Sequence, residues 1–149
     1  MTPDEYRALA EFRYRIRVFQ NGSEKAARAK GLEPQQYLLL LAVRGLPLGR
    51  EPSIRELAER MQLRHHSVVE LVDRLESRLL LRRERSRVDR RQVIVHLTLR
   101  GERILLRLAK QRLDELRTAA PALVRALNAI VTSSGAASGS SVARQHGTK

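Results

Sequence analysis

The chain has 149 residues and a formal net charge of +13, supplied mostly by arginine, and it contains no cysteine. That length suits one domain per chain with a modest core; the missing cysteine excludes a disulfide scaffold and a cysteine zinc site, and the charge favours a polyanionic partner. The longest apolar run, Tyr37 to Val43, is far short of the about 20 residues a bilayer needs, and Asp4, Glu5 and Arg7 precede any apolar stretch, so neither a membrane span nor a signal peptide is expected and the expected location is cytoplasmic.

In chain order, residues 3 to 20 are predicted to form a first helix, with Tyr6, Leu9, Phe12, Ile16 and Phe19 on its apolar stripe and Asn21 and Gly22 ending it. All but one of the aromatic residues lie on this segment, which must pack into its own subunit or against a second chain. A short helical piece, Ser23 to Lys30, is expected to stop at Gly31. Pro34 suits the first position of the next helix, which runs through Tyr37, Leu38, Leu41 and Ala42 to Gly45. Leu39 and Leu40 make it apolar almost all round, as a buried scaffold helix is. Leu46 to Pro52 reads as a connection.

The organising stretch follows. Ile54, Leu57, Ala58 and Met61 recur at helical spacing, with Ser53 and Glu56 placed as a capping box. Gln62 and Leu63 form a turn, and Val68, Leu71, Val72 and Leu75 begin a second stripe. Two short helices across a tight turn, followed by a two-stranded ribbon, make a winged helix-turn-helix. With its stripe buried, the second helix leaves Arg64, His65, His66, Ser67, Val69, Glu70 and Asp73 outside near its amino end. A major groove reads such groups, but on this helix alone a solvated face describes them equally well.

The hairpin decides between the two. Residues 82 to 91 carry Arg85, Arg87, Asp89, Arg90 and Arg91, and arginines outnumber acids throughout, whereas an ordinary solvated hairpin mixes its charges. Val93, Val95 and Leu97 alternate with Ile94 and His96 as a strand does, with Leu79 to Leu81 as its expected partner. An arginine-tipped ribbon suits phosphates and a narrow minor groove. Double-stranded DNA becomes the better reading.

Three motifs then carry a resemblance: Leu-Val-Asp-Arg-Leu-Glu at 71 to 76, Asp-x-Arg at 89 to 91 and Leu-Thr-x-x-Gly at 97 to 101. At this mutual spacing the stretch from 53 to 101 resembles the winged helix of the MarR family of bacterial transcriptional regulators, and the flanking helices extend the likeness over about residues 3 to 131. The resemblance implies a homodimer on a pseudo-palindromic operator, usually released by a small, often anionic or aromatic ligand. It puts Arg91 in the place of the wing arginine that enters the minor groove, Asp89 in that of the acid orienting the wing, and Ser67 where the recognition helix touches DNA. Gln62 and Leu79 stand where the family often has glycine, so a remodelled turn and helix end are expected. Arg64 stands where a serine cap is common.

After the wing, Thr98 is expected to cap a long helix lined by Ile104, Leu105, Leu108, Leu113 and Leu116, and Pro121 to begin another with Leu123, Leu127, Ile130 and Val131. The expected fold is mostly α with a small β-hairpin: a winged helix-turn-helix over 32–98, a helical dimerisation region over 3–20 and 99–131, and a disordered, Ser/Gly/Ala-rich tail over 132–149.

Other chemistry is poorly supported. His65 and His66 are adjacent, so on a helix they diverge by about 100° and cannot ligate one metal; His96 reads as structural, and His146 lies in the tail. No Gly-rich phosphate loop or nucleophile triad is visible, and neither an enzyme nor a cofactor is expected. Membrane-surface and single-stranded RNA binding both lean on aromatic residues that the basic region lacks. The remaining alternative is a basic helical dimeric adaptor for acidic partners, which has no use for an Asp-x-Arg tip. For a small effector, Tyr14, Arg15 and Tyr37 are the candidate lining, although core packing is the commoner role for a tyrosine at helical spacing.

Overall fold

The computed structural model describes residues 1–135. Its elements are α1 (Pro3–Ala29), α2 (Pro34–Arg44), α3 (Ile54–Met61), α4 (His65–Ser77), β1 (Leu81–Arg85), β2 (Val93–Leu97) and α5 (Leu99–Gly135). The described residues form two compact units, one of Met1–Gly22 with 114–135, the other of Ser23–Leu113.

Helix α1 runs unbroken past the expected stop at Asn21 and Gly22. A glycine inside a helix costs only about 1 kcal/mol against alanine, and Glu24, Lys25, Ala26 and Ala27 beyond it favour helix. The true stop is Gly31, with φ 73°. There the Leu32 amide donates back to the Ala27 carbonyl at 3.0 Å, a closure that a left-handed glycine permits. Pro34 starts α2 as expected. That helix is not buried all round, however: Tyr37, Leu39 and Leu40 face the core, while Leu38 and Leu41 are 45% and 40% exposed.

Ser53 caps α3 by accepting from the Glu56 amide at 3.1 Å. The reciprocal half of the capping box is replaced, because the Glu56 carboxylate goes to Arg50 and Arg60, each at 3.5 Å. Val68, Val72 and Leu75 of α4 are fully buried, packed with Leu39, Leu40 and Leu57 in one core. Each such side chain contributes about 1.5–3 kcal/mol.

Leu79 to Leu81 is not the first wing strand. Leu79 is left-handed (φ 58°), and the Leu80 amide donates to the Leu75 carbonyl at 2.9 Å, so Leu79 and Leu80 close α4. The strand therefore starts at Leu81, which pairs with Leu97, and Arg82, Arg83 and Arg85 lie within it instead of crowding the turn. In β2, Ile94 and Val95 are buried in succession. A short extra edge removes the alternation: Ser53 bridges Ile94, and the Val95 amide donates to the Pro52 carbonyl at 2.9 Å.

Thr98 caps α5, accepting from the Gly101 amide at 3.1 Å and donating to the Leu79 carbonyl at 2.6 Å. Pro121 begins no new helix, since α5 continues through it to Gly135. The missing amide breaks one ladder bond, but the surrounding Ala119, Ala120 and Ala122 are the best helix formers. Thr132 to Gly135, expected as tail, are also helical. The rest of the expected tail lies outside the described residues.

Candidate nucleic-acid interface

The amino end of α4 is open. Arg64 sits at the N-cap with extended backbone and makes no side-chain cap bond, as its residue type implies. His65, His66 and Glu70 are exposed, and Ser67 and Val69 are half-buried on the flanks of the stripe. The turn before the helix keeps the backbone a glycine would take, because Gln62 adopts φ 53°. Its side-chain amide donates to the Glu59 carbonyl at 2.7 Å.

The wing loop is built on Ser86, which the sequence reading missed. This buried hydroxyl accepts from the Val88 and Asp89 amides, each at 3.2 Å, and donates to Glu51 at 3.2 Å. Asp89 accepts from the Arg91 amide at 3.1 Å and from its Nε at 3.4 Å, leaving the Arg91 side chain 94% exposed. Arg85 is turned inward on the loop and donates to the Arg90 carbonyl at 3.0 Å. Arg87 and Arg90 are exposed, and so is the apolar Val88 between them.

Arg83 fastens the ribbon to the helix. Its guanidinium pairs with Asp73 and, at 3.3 Å, with Glu76, whose carboxylate also accepts the Arg83 amide at 3.0 Å. The hydrogen bond to Asp73, with Glu76 in support, holds the Arg83 pKa above its ordinary value. Asp73, read from sequence as an outward group, is thus engaged by the wing. Further along, His96 lies 3.2 Å from Glu84, which also holds Arg82 at 3.3 Å. A hollow of about 410 Å³ joins the parts, lined by Ser53, Arg55, His65, Arg83, Arg91 and Gln92 among others. Arg55 was missed from the sequence, although the apolar stripe of α3 leaves it outside.

The three effector candidates are not in one unit: Tyr14 and Arg15 belong to the first, Tyr37 to the second. Tyr14 is exposed, Arg15 pairs with Glu11 at 2.7 Å, and Tyr37 lies in the core. Burial pushes the Tyr37 hydroxyl above its ordinary pKa, with the Arg112 charge opposing. Among the described residues no group of three or more His, Asp or Glu side chains is placed to hold a metal, and no helix is long and apolar enough to cross a membrane.

The sequence pattern of the MarR family matches residues 30–92, the stretch from the end of α1 to the last residue of the wing loop. The winged helix is similar to that of the MarR family. No curated protein matches the sequence, but MarR-family regulators of known structure share the fold. AbsC, a MarR family transcriptional regulator from Streptomyces coelicolor, has a TM-score of 0.68 at 23% identity, over 80% of each chain. A mutant MarR from E. coli, complexed with operator DNA, has a TM-score of 0.56 at 18% identity, over 66% of this chain and 68% of that one. A mutant MepR from S. aureus, bound to an oligodeoxyribonucleotide, has a TM-score of 0.60 at 16% identity, over 85% of this chain and 94% of that one. Gln62 and Leu79, the two departures from glycine, both hold a left-handed backbone, with φ 53° and 58°.

Proposed function

We propose that the protein is a sequence-specific, double-stranded DNA-binding transcriptional regulator, a repressor acting as a homodimer on a pseudo-palindromic operator. The observation that carries this is the exposed Arg91, oriented by Asp89 on a wing that Arg83 fastens to the carboxyl half of α4, with His65 of the open amino end lining the same hollow. The helix end enters a major groove, where His65, His66, Ser67, Val69 and Glu70 meet base edges. The wing follows the adjacent minor groove, whose negative potential draws in the guanidinium, with Arg87 and Arg90 on flanking phosphates and Arg85 bracing the loop. The bound DNA in two of the similar structures supports this reading.

Dimerisation is assigned to 3–20 and 99–131. In the first unit Tyr6, Tyr14, Val18, Val124 and Val131 are each more than half exposed, more apolar surface than a lone helical unit ordinarily leaves to water. Release by a small effector has its support in a cavity of about 400 Å³ in the second unit. Leu41, Leu97, Leu105 and Leu106 line it, with Arg44, Arg103 and Glu102 as its charged groups, a composition that suits a small amphipathic anion.

Fluorescence anisotropy on labelled duplex tests the reading. If the two subunits neutralise about 6 to 10 phosphates, affinity falls roughly 10³- to 10⁵-fold between 50 and 200 mM salt. A salt-insensitive affinity would place the contact elsewhere than on the basic wing.

A further inference from the structure

Helix α4 carries three carboxylates, Glu70, Asp73 and Glu76. Arg83 engages the latter two from the wing, so their charge is compensated at the flank of the helix. Glu70 is treated differently. Among the described residues no ion pair involves it, although His66 and Arg74 stand one turn to either side. At about 100° per residue, Glu70 lies roughly opposite the buried Val68, Val72 and Leu75, on the outermost line of the helix with His66.

An exposed carboxylate is ordinarily no more than a solvated charge. On the surface that approaches DNA it is a liability, because phosphates repel it and the protein's other charge at that face is positive. It is compensated only where it meets a hydrogen-bond donor on a base. In the major groove cytosine presents a lone amino donor, guanine presents two acceptors, thymine an acceptor and a methyl group, and adenine sets an acceptor beside its donor. A carboxylate therefore discriminates for cytosine and against the other three.

We propose that Glu70 is a specificity-determining residue that accepts a hydrogen bond from the amino group of a cytosine at one fixed position in each half-site. This rests on the reading of α4 as the helix that enters the major groove.

The test is selection of bound duplexes from a random pool by the full-length protein and by its Glu70→Ala and Glu70→Gln variants. The wild type enriches cytosine at one position per half-site. In Glu70→Ala the preference at that position falls by about 5- to 150-fold while the others persist. An unchanged far-UV circular dichroism spectrum and thermal midpoint report that the variant is folded. In Glu70→Gln the preferred base moves towards adenine, because an amide matches the donor and acceptor of that base. An unchanged consensus in both variants overturns the role of Glu70 and leaves DNA recognition standing. A wild-type protein that enriches no duplex overturns the underlying reading instead.

Discussion

At Gly101 the backbone of α5 presses against the turn that ends α4, and a Cβ there would collide with the Leu80 carbonyl. The Leu-Thr-x-x-Gly motif thus has a mechanical content: Thr98 ties Leu79 to the first turn of α5, and Gly101 lets the two backbones meet. Gly101→Ala is expected to lower unfolding free energy by about 3 kcal/mol, since backbone must move to relieve the clash; urea titration measures it, and a loss below about 1 kcal/mol would contradict the close approach. Leu79 makes the opposite case. It holds φ 58° and the residue is 66% exposed, so little burial offsets the conformational cost. That cost is about 1–2 kcal/mol, against roughly 0.5–1 kcal/mol for the extra unfolded-state freedom of glycine. Leu79→Gly should therefore stabilise the protein by up to about 1 kcal/mol in the same titration. Residue identity was legible here in one direction only. The motif pointed to Gly101 and Thr98, but no sequence pattern said that Gln62 and Leu79 would keep a left-handed backbone without glycine.

The wing separates orientation from charge. Ser86, Asp89 and Arg83 place the exposed arginines, and two of these three are not cations. Arg91→Ala should weaken operator and non-operator duplex together and flatten the salt slope by about one unit. Asp89→Ala should also weaken binding, although it removes a negative charge from a basic loop. Simple electrostatics gives the opposite sign, so tighter binding by Asp89→Ala in an anisotropy titration would overturn the oriented wing. The Asp-x-Arg spacing was readable in the sequence because its contacts are local. The Ser86 hub was not, since its partner Glu51 is distant in the chain, nor was the grip of Arg83 on Asp73 and Glu76. Element boundaries failed for a related reason. Gly22 and Pro121 are local helix breakers, costing about 1 and about 3 kcal/mol, yet α1 and α5 run through them because the residues on both sides favour helix.

For the whole molecule, the apolar periodicity of α3 and α4 was enough to place the winged helix, because its core is built from stripes that meet within one chain. In the first unit Tyr6, Leu9, Leu127 and Val131 of the stripes remain exposed and the others are half-buried, and a second copy is the partner proposed for them. Light scattering at micromolar concentration should give twice the 17.0 kDa chain mass, and a stable monomer would remove the basis for two half-sites. The central claim joins that symmetry to base recognition, and unbiased selection of bound duplexes from a random DNA pool tests both at once. The expected result is an enriched pseudo-palindrome whose half-sites are centred about one helical turn, roughly 10 base pairs, apart or a multiple of it. Duplexes recovered without any enriched sequence, in proportion to length and charge alone, would contradict it and leave a basic adaptor in its place.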